Sequence, residues 1–287
     1  MLSILLLIPL VGALLFLILP SNLAPTRMRS IAIAVLVVQL IWSLRLLFAF
    51  DPDISGMQLQ ESYSWVEKLG LRYELGIDGL SLPLVLLNAA LTLVAAVCTR
   101  ELSERPRLYF ALILLISCAV NGAFVANNLL FFLLFYELEL IPLWLLILIW
   151  GGAQRVYAAT KFLLFTALSG VLILAAFLGL ALINGSVDFS LSPLITENIS
   201  MTSQLLLLGC LLVGFGIKIP LVPFHSWLPD AHTQASTPVS VLLAGVLLKL
   251  GTYGLLRFGL GMFPDAWALL APAMAIWAAI SVLYGSF

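Results

Sequence analysis

Four ionisable side chains lie near the centres of long apolar segments, where charge is expensive to bury. Glu137 and Glu139 fall in one segment, Lys218 in a second and Lys249 in a third. A charged group at the centre of a membrane-spanning helix costs about 2.5–3.5 kcal/mol on insertion scales, so such groups usually persist for a function. Because burial disfavours the charged form of carboxylates and amines alike, these four groups have the chemistry to exchange protons near neutral pH.

This set of charges predicts a proton relay. A carboxylate about 4 Å from an ammonium contributes about 4 kcal/mol at an effective dielectric of about 20. Withdrawing Glu137 from Lys218 would therefore release the lysine proton, which water would carry to Lys249. This hypothesis expects Glu137→Gln to abolish proton transport without loss of assembly. The alternative is a static Glu137–Lys218 pair that locks the helices together, which leaves the second lysine and second glutamate unexplained.

The spacing of the two glutamates predicts different roles for them. On a continuous helix, residues two apart point roughly 200° from each other, so the pair is not expected to face one channel. One of them is expected to face the proton path and the other a neighbouring helix or subunit. Glu137 is assigned to proton translocation, and Glu139 is a candidate accessory residue. Pro142 lacks an N–H and leaves the carbonyl of Leu138 free to bind water.

Two prolines beside Lys218 predict that the seventh apolar segment is a broken helix. Pro220 and Pro223 are too close together for a continuous helix. Broken helices at membrane depth are tolerated where they line a cavity, and they form ion sites in transporters. In the eighth segment, Gly251 and Gly254 favour close packing or local unwinding.

Polar residues beyond the prolines are candidate accessory groups. His225 and His232 have side chains suited to proton entry or exit, and Asp230 between them is a possible partner. Ordinary histidines at the membrane interface are the open alternative. Asp78 comes just before the third segment and is expected to cap the N-terminus of its helix.

The composition is that of a membrane protein. Of the 287 residues, 63% are hydrophobic and 9% are charged, whereas soluble domains have roughly 45–50% and about 25%. Lipid must therefore be the main solvent, and a net charge of −1 argues against a nucleic-acid partner. Since only helices and closed barrels satisfy their backbone in lipid, and no alternating strand pattern occurs, the segments are predicted to be helices.

About nine segments approach the length of about 20 residues that a spanning helix needs. Basic residues follow the first, third and fifth segments, which predicts that these loops are cytoplasmic or stromal and that the N-terminus lies on the opposite face. Arg257 is an exception that could snorkel from a helix end. The segments are 3–20, 28–50, 78–99, 107–126, 128–150, 160–184, 204–228, 236–259 and 265–287, and the basic residues are Arg27, Arg29, Arg100, Arg105, Arg107, Arg155 and Lys161.

Two further features concern the ends of segments. In the long connection 51–77, residues 63–68 and 71–75 flank a glycine turn and predict a β-hairpin. The apolar run 265–287 reaches the last residue without a polar tail, from which we expect a fragment of a longer chain.

No metal or cofactor site is expected in this chain. Cys98, Cys118 and Cys210 lie singly in apolar runs, without a CxxC or a Cys/His cluster. There is also no Gly-rich phosphate loop.

Three motifs resemble the antiporter-like subunits of respiratory complex I. Their fifth, seventh and eighth helices are matched by Phe135–Pro142 with Trp150-Gly151-Gly152, by Lys218–His232 and by Leu247–Gly254. The Glu-Leu-Glu-Leu-Ile-Pro form of the first motif, with Tyr157–Phe162 and Leu75–Leu82, is most similar to the chain 4 family of the cyanobacterial and chloroplast NAD(P)H–quinone oxidoreductase.

The resemblance implies an all-α polytopic membrane protein with an antiporter-like fold. About nine of the family's roughly fourteen helices would be present, arranged in inverted five-helix repeats with a broken seventh helix. Residues 1–106 would hold the first three helices, 107–259 the first repeat with its half-channel, and 260–287 the start of a second repeat that appears truncated.

The resemblance also implies which residues carry protons. Glu137, Lys218 and Lys249 match the family's proton-translocating glutamate and lysines, and Glu139 matches an extra glutamate of the photosynthetic branch. The family's proton exit lies in the second repeat, beyond the residues present here.

The implied function is proton translocation coupled to quinone reduction elsewhere in a thylakoid complex, with the N-terminus in the lumen. Other membrane subunits would be the partners. Plastoquinone, iron–sulfur clusters and ferredoxin or NAD(P)H would bind those other subunits. Family members serve respiration, cyclic electron flow or CO2 uptake, and one sequence does not separate these roles.

Two alternatives stay open. One is a subunit of a multi-subunit cation/proton antiporter, which sodium-dependent transport without quinone reduction would favour. The other is a passive membrane scaffold whose charges dock its neighbours, which loss of assembly in Lys218→Met would favour.

Overall fold

The computed structural model describes residues 1–20, 23–99, 104–185, 189–191 and 199–286. Arg100, one of the basic residues that predict the orientation, lies outside the described residues. Eight helices are long and apolar enough to cross a membrane, and an apolar helix of 17 residues precedes them. The chain is therefore a multi-pass membrane protein.

The described residues form a series of α-helices. They are α1 (Leu2–Ile18), α2 (Pro25–Ala49), α3 (Ser81–Cys98), α4 (Pro106–Val125), α5 (Leu129–Leu138), α6 (Leu140–Trp150), α7 (Arg155–Asn184), α8 (Met201–Lys218), α9 (Trp227–Gln234), α10 (Thr237–Leu242), α11 (Leu248–Gly254) and α12 (Pro264–Ser286).

The centre of the bundle is α4. In its most apolar stretch 89% of the residues are buried, whereas in that of α12 only 6% are. The neighbours of α4 include α1, α2, α3, α5 and α6. Large apolar side chains such as Phe48 and Leu182 point outward and are more than four-fifths exposed. This inside-out distribution fits lipid as the surrounding solvent.

A buried polar cluster fixes α2, α3 and α4 against one another. Gln39 donates to the Ser117 hydroxyl at 2.7 Å, and Asn88 donates to Asn121 at 2.8 Å. All four side chains are fully buried. Interhelical hydrogen bonds of this kind stabilise helix pairs where lipid offers no alternative partner.

A β-hairpin covers one end of the bundle, which we call the hairpin side. Strand β1 (Gln58–Val66) pairs antiparallel with β2 (Leu71–Ile77), so the predicted hairpin is confirmed, although β1 begins five residues earlier than expected. The amide of Asn127 donates to the Glu74 carbonyl at 2.8 Å. This bond ties the hairpin to the turn between α4 and α5.

Three of the predicted spans are interrupted helices. The predicted break of the seventh is confirmed, but its helix ends at Lys218 rather than at residue 228. The fifth, expected to be continuous, is interrupted at Glu139 between α5 and α6. The eighth contains two π-helical segments, Leu243–Leu247 and Leu255–Leu260, on either side of α11. Such segments are frequent at functional sites.

Candidate proton-transfer site

A fully buried ion pair lies where two helices are interrupted. Lys218 is the last residue of α8, and its ammonium contacts the Glu139 carboxylate at the junction of α5 and α6. The side chains are 2% and 0% exposed. A buried pair of this kind is costly to desolvate, and removing one partner leaves an uncompensated charge. Burying the Glu139–Lys218 pair therefore costs desolvation free energy at this point of the bundle.

Tyr136 also contacts the Lys218 ammonium, from a second direction. The Lys218 Nζ atom lies 3.4 Å from the centroid of the Tyr136 ring and 3.4 Å from the Tyr136 carbonyl oxygen. The Tyr136 hydroxyl lies 3.1 Å from the Ser169 hydroxyl, which donates to the Gly214 carbonyl at 2.7 Å. Sequence reasoning missed this contact, although Tyr136 directly precedes Glu137 in the fifth-helix motif.

The carboxylates at the site have spare hydrogen-bonding capacity. Among the described residues, Oε2 of Glu139 and Oε1 of Glu137 have no hydrogen-bond partner, and Oε1 of Glu139 contacts only the Lys218 ammonium. Glu137 is half-buried and lies against Gly170 of α7, where any side chain would collide with its carboxylate. The Lys218 charge acts on both carboxylates. The site therefore has three groups that can change charge within mutual electrostatic range.

The ion-pair partner of Lys218 differs from the one that the sequence predicts. Glu137 was expected to act on Lys218 and Glu139 was a candidate accessory residue, yet Glu139 is the ion-pair partner of Lys218. The rotation of roughly 200° applies to a continuous helix, and this helix is interrupted at Glu139 itself. The predicted translocation role of Glu137 is not tested by this placement.

Lys249 is not brought to the ion pair. Its side chain is exposed, although α11 contacts the end of α8. The two glycines of α11 make this contact possible, because a side chain at Gly251 or Gly254 would collide with Ile219 or Phe215. The predicted close packing at these glycines is confirmed, and the role of Lys249 stays a prediction.

Beyond the prolines, the chain folds back onto the fifth and sixth spans. After Pro220 and Pro223 it forms the short helix α9, whose Trp227 indole donates to the Ile217 carbonyl at 2.8 Å. The Gln234 carbonyl at the end of α9 accepts from the Gly152 amide at 2.8 Å. These bonds hold the chain on both sides of the break.

Asp230 is not the partner of the histidines. Its carboxylate pairs with Lys161 of α7 at 2.8 Å, because α9 packs beside the start of α7. The His225 ring instead lies 4.9 Å from the Tyr284 ring. Burial lowers the pKa of His232 below its ordinary value, which favours the neutral imidazole at pH 7.

Asp78 is not the N-cap residue of α3, which is Leu80, but its carboxylate binds amides at the start of the helix and forms an ion pair that sequence reasoning missed. Its carboxylate accepts from the amides of Leu80 and Ser81 at 3.2 and 2.9 Å. It also lies 2.7 Å from the Arg257 guanidinium, which donates to the Tyr253 hydroxyl at 3.3 Å. Arg257 therefore points to a carboxylate of the same chain.

Within the described part of the chain, no group of three or more His, Cys, Asp or Glu side chains could hold a metal ion. The three cysteines are free thiols.

The transmembrane family described as NADH:quinone oxidoreductase/Mrp antiporter matches residues 126–287, which is more than half of the chain. The chain belongs to this family. Both interrupted helices that carry the Glu139–Lys218 pair fall within the matched residues.

Curated members of the family are similar along most of the chain. It is 46% identical over 239 residues to NAD(P)H-quinone oxidoreductase chain 4 3 of Picosynechococcus sp., a match that covers 83% of this chain and 44% of the relative. It is 41% identical over 286 residues to NAD(P)H-quinone oxidoreductase chain 4 2 of Thermosynechococcus vestitus, covering 99% of this chain and 54% of the relative. The chain thus spans about half the length of these relatives.

Solved structures share the fold of this family member. A chain of respiratory complex I from Thermus thermophilus with bound NADH matches with a TM-score of 0.86 and 30% identity, covering 99% of this chain and 58% of that one. The Mrp complex from Dietzia sp. matches with a TM-score of 0.78 and 24% identity, covering 94% and 29%. The antiporter-like fold expected from the motifs is confirmed.

Proposed function

We propose that this chain is a proton-translocating membrane part of an NAD(P)H/ferredoxin–plastoquinone oxidoreductase. It would couple quinone reduction in other subunits to proton movement through buried glutamate and lysine. The observation that carries this proposal is the Glu139–Lys218 pair, which is fully buried at the junction of two interrupted helices. Both partners can change charge, which a purely structural lock does not need.

Charge at the carboxylates would control the lysine. At an effective dielectric of about 20, an ion pair about 4 Å apart contributes about 4 kcal/mol to keeping the ammonium protonated. Neutralising Glu139, with Glu137 nearby as a second acceptor, removes this contribution, and Lys218 then gives up its proton. Tyr136 holds the ammonium in place through its ring and carbonyl. Lys249 is proposed as the next carrier.

The surroundings of the site are proposed on the names and sources of the relatives. The partners are other membrane subunits, and the membrane is the thylakoid of a cyanobacterium or chloroplast, with the hairpin side in the lumen. Iron–sulfur clusters, plastoquinone and the electron donor bind elsewhere in the complex. The role among respiration, cyclic electron flow and CO2 uptake is left open.

Donor-driven proton uptake into vesicles that hold the whole complex tests the proposal. Lys218→Met should lower proton uptake per electron at least tenfold while the complex still assembles. Lys68→Met, at an exposed lysine of the hairpin connection, is the matched control and should behave as the wild type. Normal uptake in Lys218→Met would refute the proposal, and loss of the assembled complex would favour the scaffold alternative.

A cation/proton antiporter subunit is the second candidate, because the family description includes the Mrp antiporters. In that case proton movement would need a sodium gradient and would continue without an electron donor. The same vesicles, assayed with and without sodium, separate the two functions.

A further inference from the structure

A cavity of about 450 Å³ opens on the hairpin side of the bundle. Its polar lining comes from Gln60, Asp78, Asn127 and Arg257. The side-chain oxygen of Asn127 is buried and has no hydrogen-bond partner among the described residues. A cavity of this size with several polar groups and an unpaired acceptor favours water as its occupant.

A cluster of buried rings lies between this cavity and the Glu139–Lys218 pair. We call it the aromatic seal, and its central members are Phe132 of α5, Phe215 of α8 and Phe258 of the second π-helical segment. The Phe132 and Phe258 centroids are 4.5 Å apart, and Phe215 stacks on Phe258 at 6.2 Å. All three side chains are at most 1% exposed. The outer members are Phe124, Phe177 and Tyr253.

The helix directions fix the order of these groups. Phe132 lies four residues, or about 6 Å, from Tyr136 toward the hairpin end of α5, and Phe215 lies about 4.5 Å from Lys218 in the same direction. Tyr136 touches both rings at 5.3 and 5.8 Å. On the other side, Tyr253 contacts Phe132 at 6.4 Å and receives the hydrogen bond of Arg257. From the hairpin side inward, the order is therefore the cavity, Arg257, the aromatic seal, Tyr136 and the ion pair.

The seal has the properties of a dry barrier. Protons move along water or hydrogen-bonding groups, and apolar constrictions exclude water. Phenylalanine rings offer neither donor nor acceptor. The two hydroxyl groups at its margins are engaged, that of Tyr253 with the Phe124 carbonyl at 3.0 Å and that of Tyr136 with Ser169.

We propose that the aromatic seal insulates the Glu139–Lys218 pair from the cavity and so prevents protons from leaking to the hairpin side. This proposal rests on the proposed proton transport. It assigns Phe132, Phe215 and Phe258 a function in coupling, apart from packing. Without the seal, water from the cavity would reach the buried ion pair.

The test is the passive proton leak of vesicles that contain the whole complex and no electron donor. Phe258→Ser should raise the rate at which an imposed pH gradient decays at least threefold, because the hydroxyl and the vacated volume admit water. Phe258→Leu, which stays apolar, should keep the wild-type rate. Phe110→Ser is the matched control, since Phe110 is equally buried but packs against Phe16 on α1. It should not leak.

The leak should also depend on the ion pair. Adding Lys218→Met to Phe258→Ser should return the leak to the wild-type rate. A wild-type leak in assembled Phe258→Ser, or an equal leak in Phe110→Ser, overturns the seal. Wild-type pumping that is lost in Lys218→Met alone would still uphold the proposed function in that case. If Phe258→Ser does not assemble, Phe258→Tyr decides, because it keeps the ring and adds one hydroxyl: a raised leak supports the seal and an unchanged leak refutes it.

Discussion

The two most buried ion pairs among the described residues differ in what their partners can do. Lys218 and Glu139 can both lose their charge, and Oε2 of Glu139 has no hydrogen-bond partner in the described part of the chain. Arg257 does not deprotonate in proteins, and the Asp78 carboxylate that it contacts is held by two backbone amides. The first pair is therefore suited to changing its protonation state. The second is suited to holding together the start of α3, α11 and the second π-helical segment.

Burial of an ion pair therefore does not by itself identify a proton carrier. Asp78 and Arg257 are mostly buried as well, at 18% and 14% exposure. What separates the two pairs is the ability to change protonation and the presence of unsatisfied atoms that would accept a proton.

The largest effect is expected at Glu139. Glu139→Gln removes the charge that keeps Lys218 protonated, so proton uptake per electron should fall at least tenfold in an assembled complex. Glu137→Gln, at the half-buried neighbour, should lower it less. Proton uptake measured at equal electron-transfer rates compares the two variants. If Glu137→Gln abolishes uptake while Glu139→Gln leaves it normal, the assignment of the switching partner is incorrect.

The second pair should affect stability instead of transport. Asp78→Asn leaves the Arg257 charge uncompensated and should destabilise the fold by about 2 kcal/mol, below the 3–5 kcal/mol for fully buried pairs. Thermal denaturation of the solubilised complex measures this. The double variant Asp78→Asn/Arg257→Gln should regain part of the loss. Proton uptake per assembled complex should stay within twofold, and a selective loss of uptake would mean that this pair also carries protons.

The same pair predicts a dependence on acid. Burial raises the pKa of Asp78, but the Arg257 contact and the amide hydrogen bonds outweigh it, so the pKa lies below its usual value of 3.8. Since the folded pKa is depressed, the stabilisation is present above the unfolded pKa and is lost as the pH falls through the folded pKa. Melting curves below about pH 4 should show a loss in the wild type that is smaller in Asp78→Asn.

The smallest effect is expected at the exposed pair of Lys161 and Asp230. Their side chains are 21% and 37% exposed, and exposed pairs contribute at most about 1 kcal/mol. Lys161→Met should therefore lower the stability by less than Asp78→Asn in the same melting assay. A larger loss would show that this pair, and not only the backbone bonds of α9, holds the chain beyond the helix break.

The sequence predicts those parts of this site that depend on local chemistry. The break after Lys218 follows from two prolines, and the hairpin follows from a glycine turn. The pairing of Lys218 with Glu139 instead of Glu137 was not predictable from helix periodicity, because the interruption at Glu139 changes the direction of its side chain.

Partners far apart in sequence were also out of reach. Asp78 and Arg257 meet only because the start of α3 and the second π-helical segment lie on the same side of the bundle. Lys161 reaches Asp230 only because α9 folds back toward α7. Charge and spacing identify residues that can form ion pairs, but they do not show which residue contacts which. For Lys249, the spacing places the residue at mid-span, but its side chain is exposed in the described chain.

Proton uptake by the Lys218→Arg variant shows whether Lys218 itself carries protons. Arginine keeps the positive charge beside Glu139 but does not release its proton. If the lysine carries protons, uptake per electron in the assembled complex should fall at least tenfold, as in Lys218→Met. If uptake in Lys218→Arg equals that of the wild type, only the charge matters, and the pair is a fixed lock.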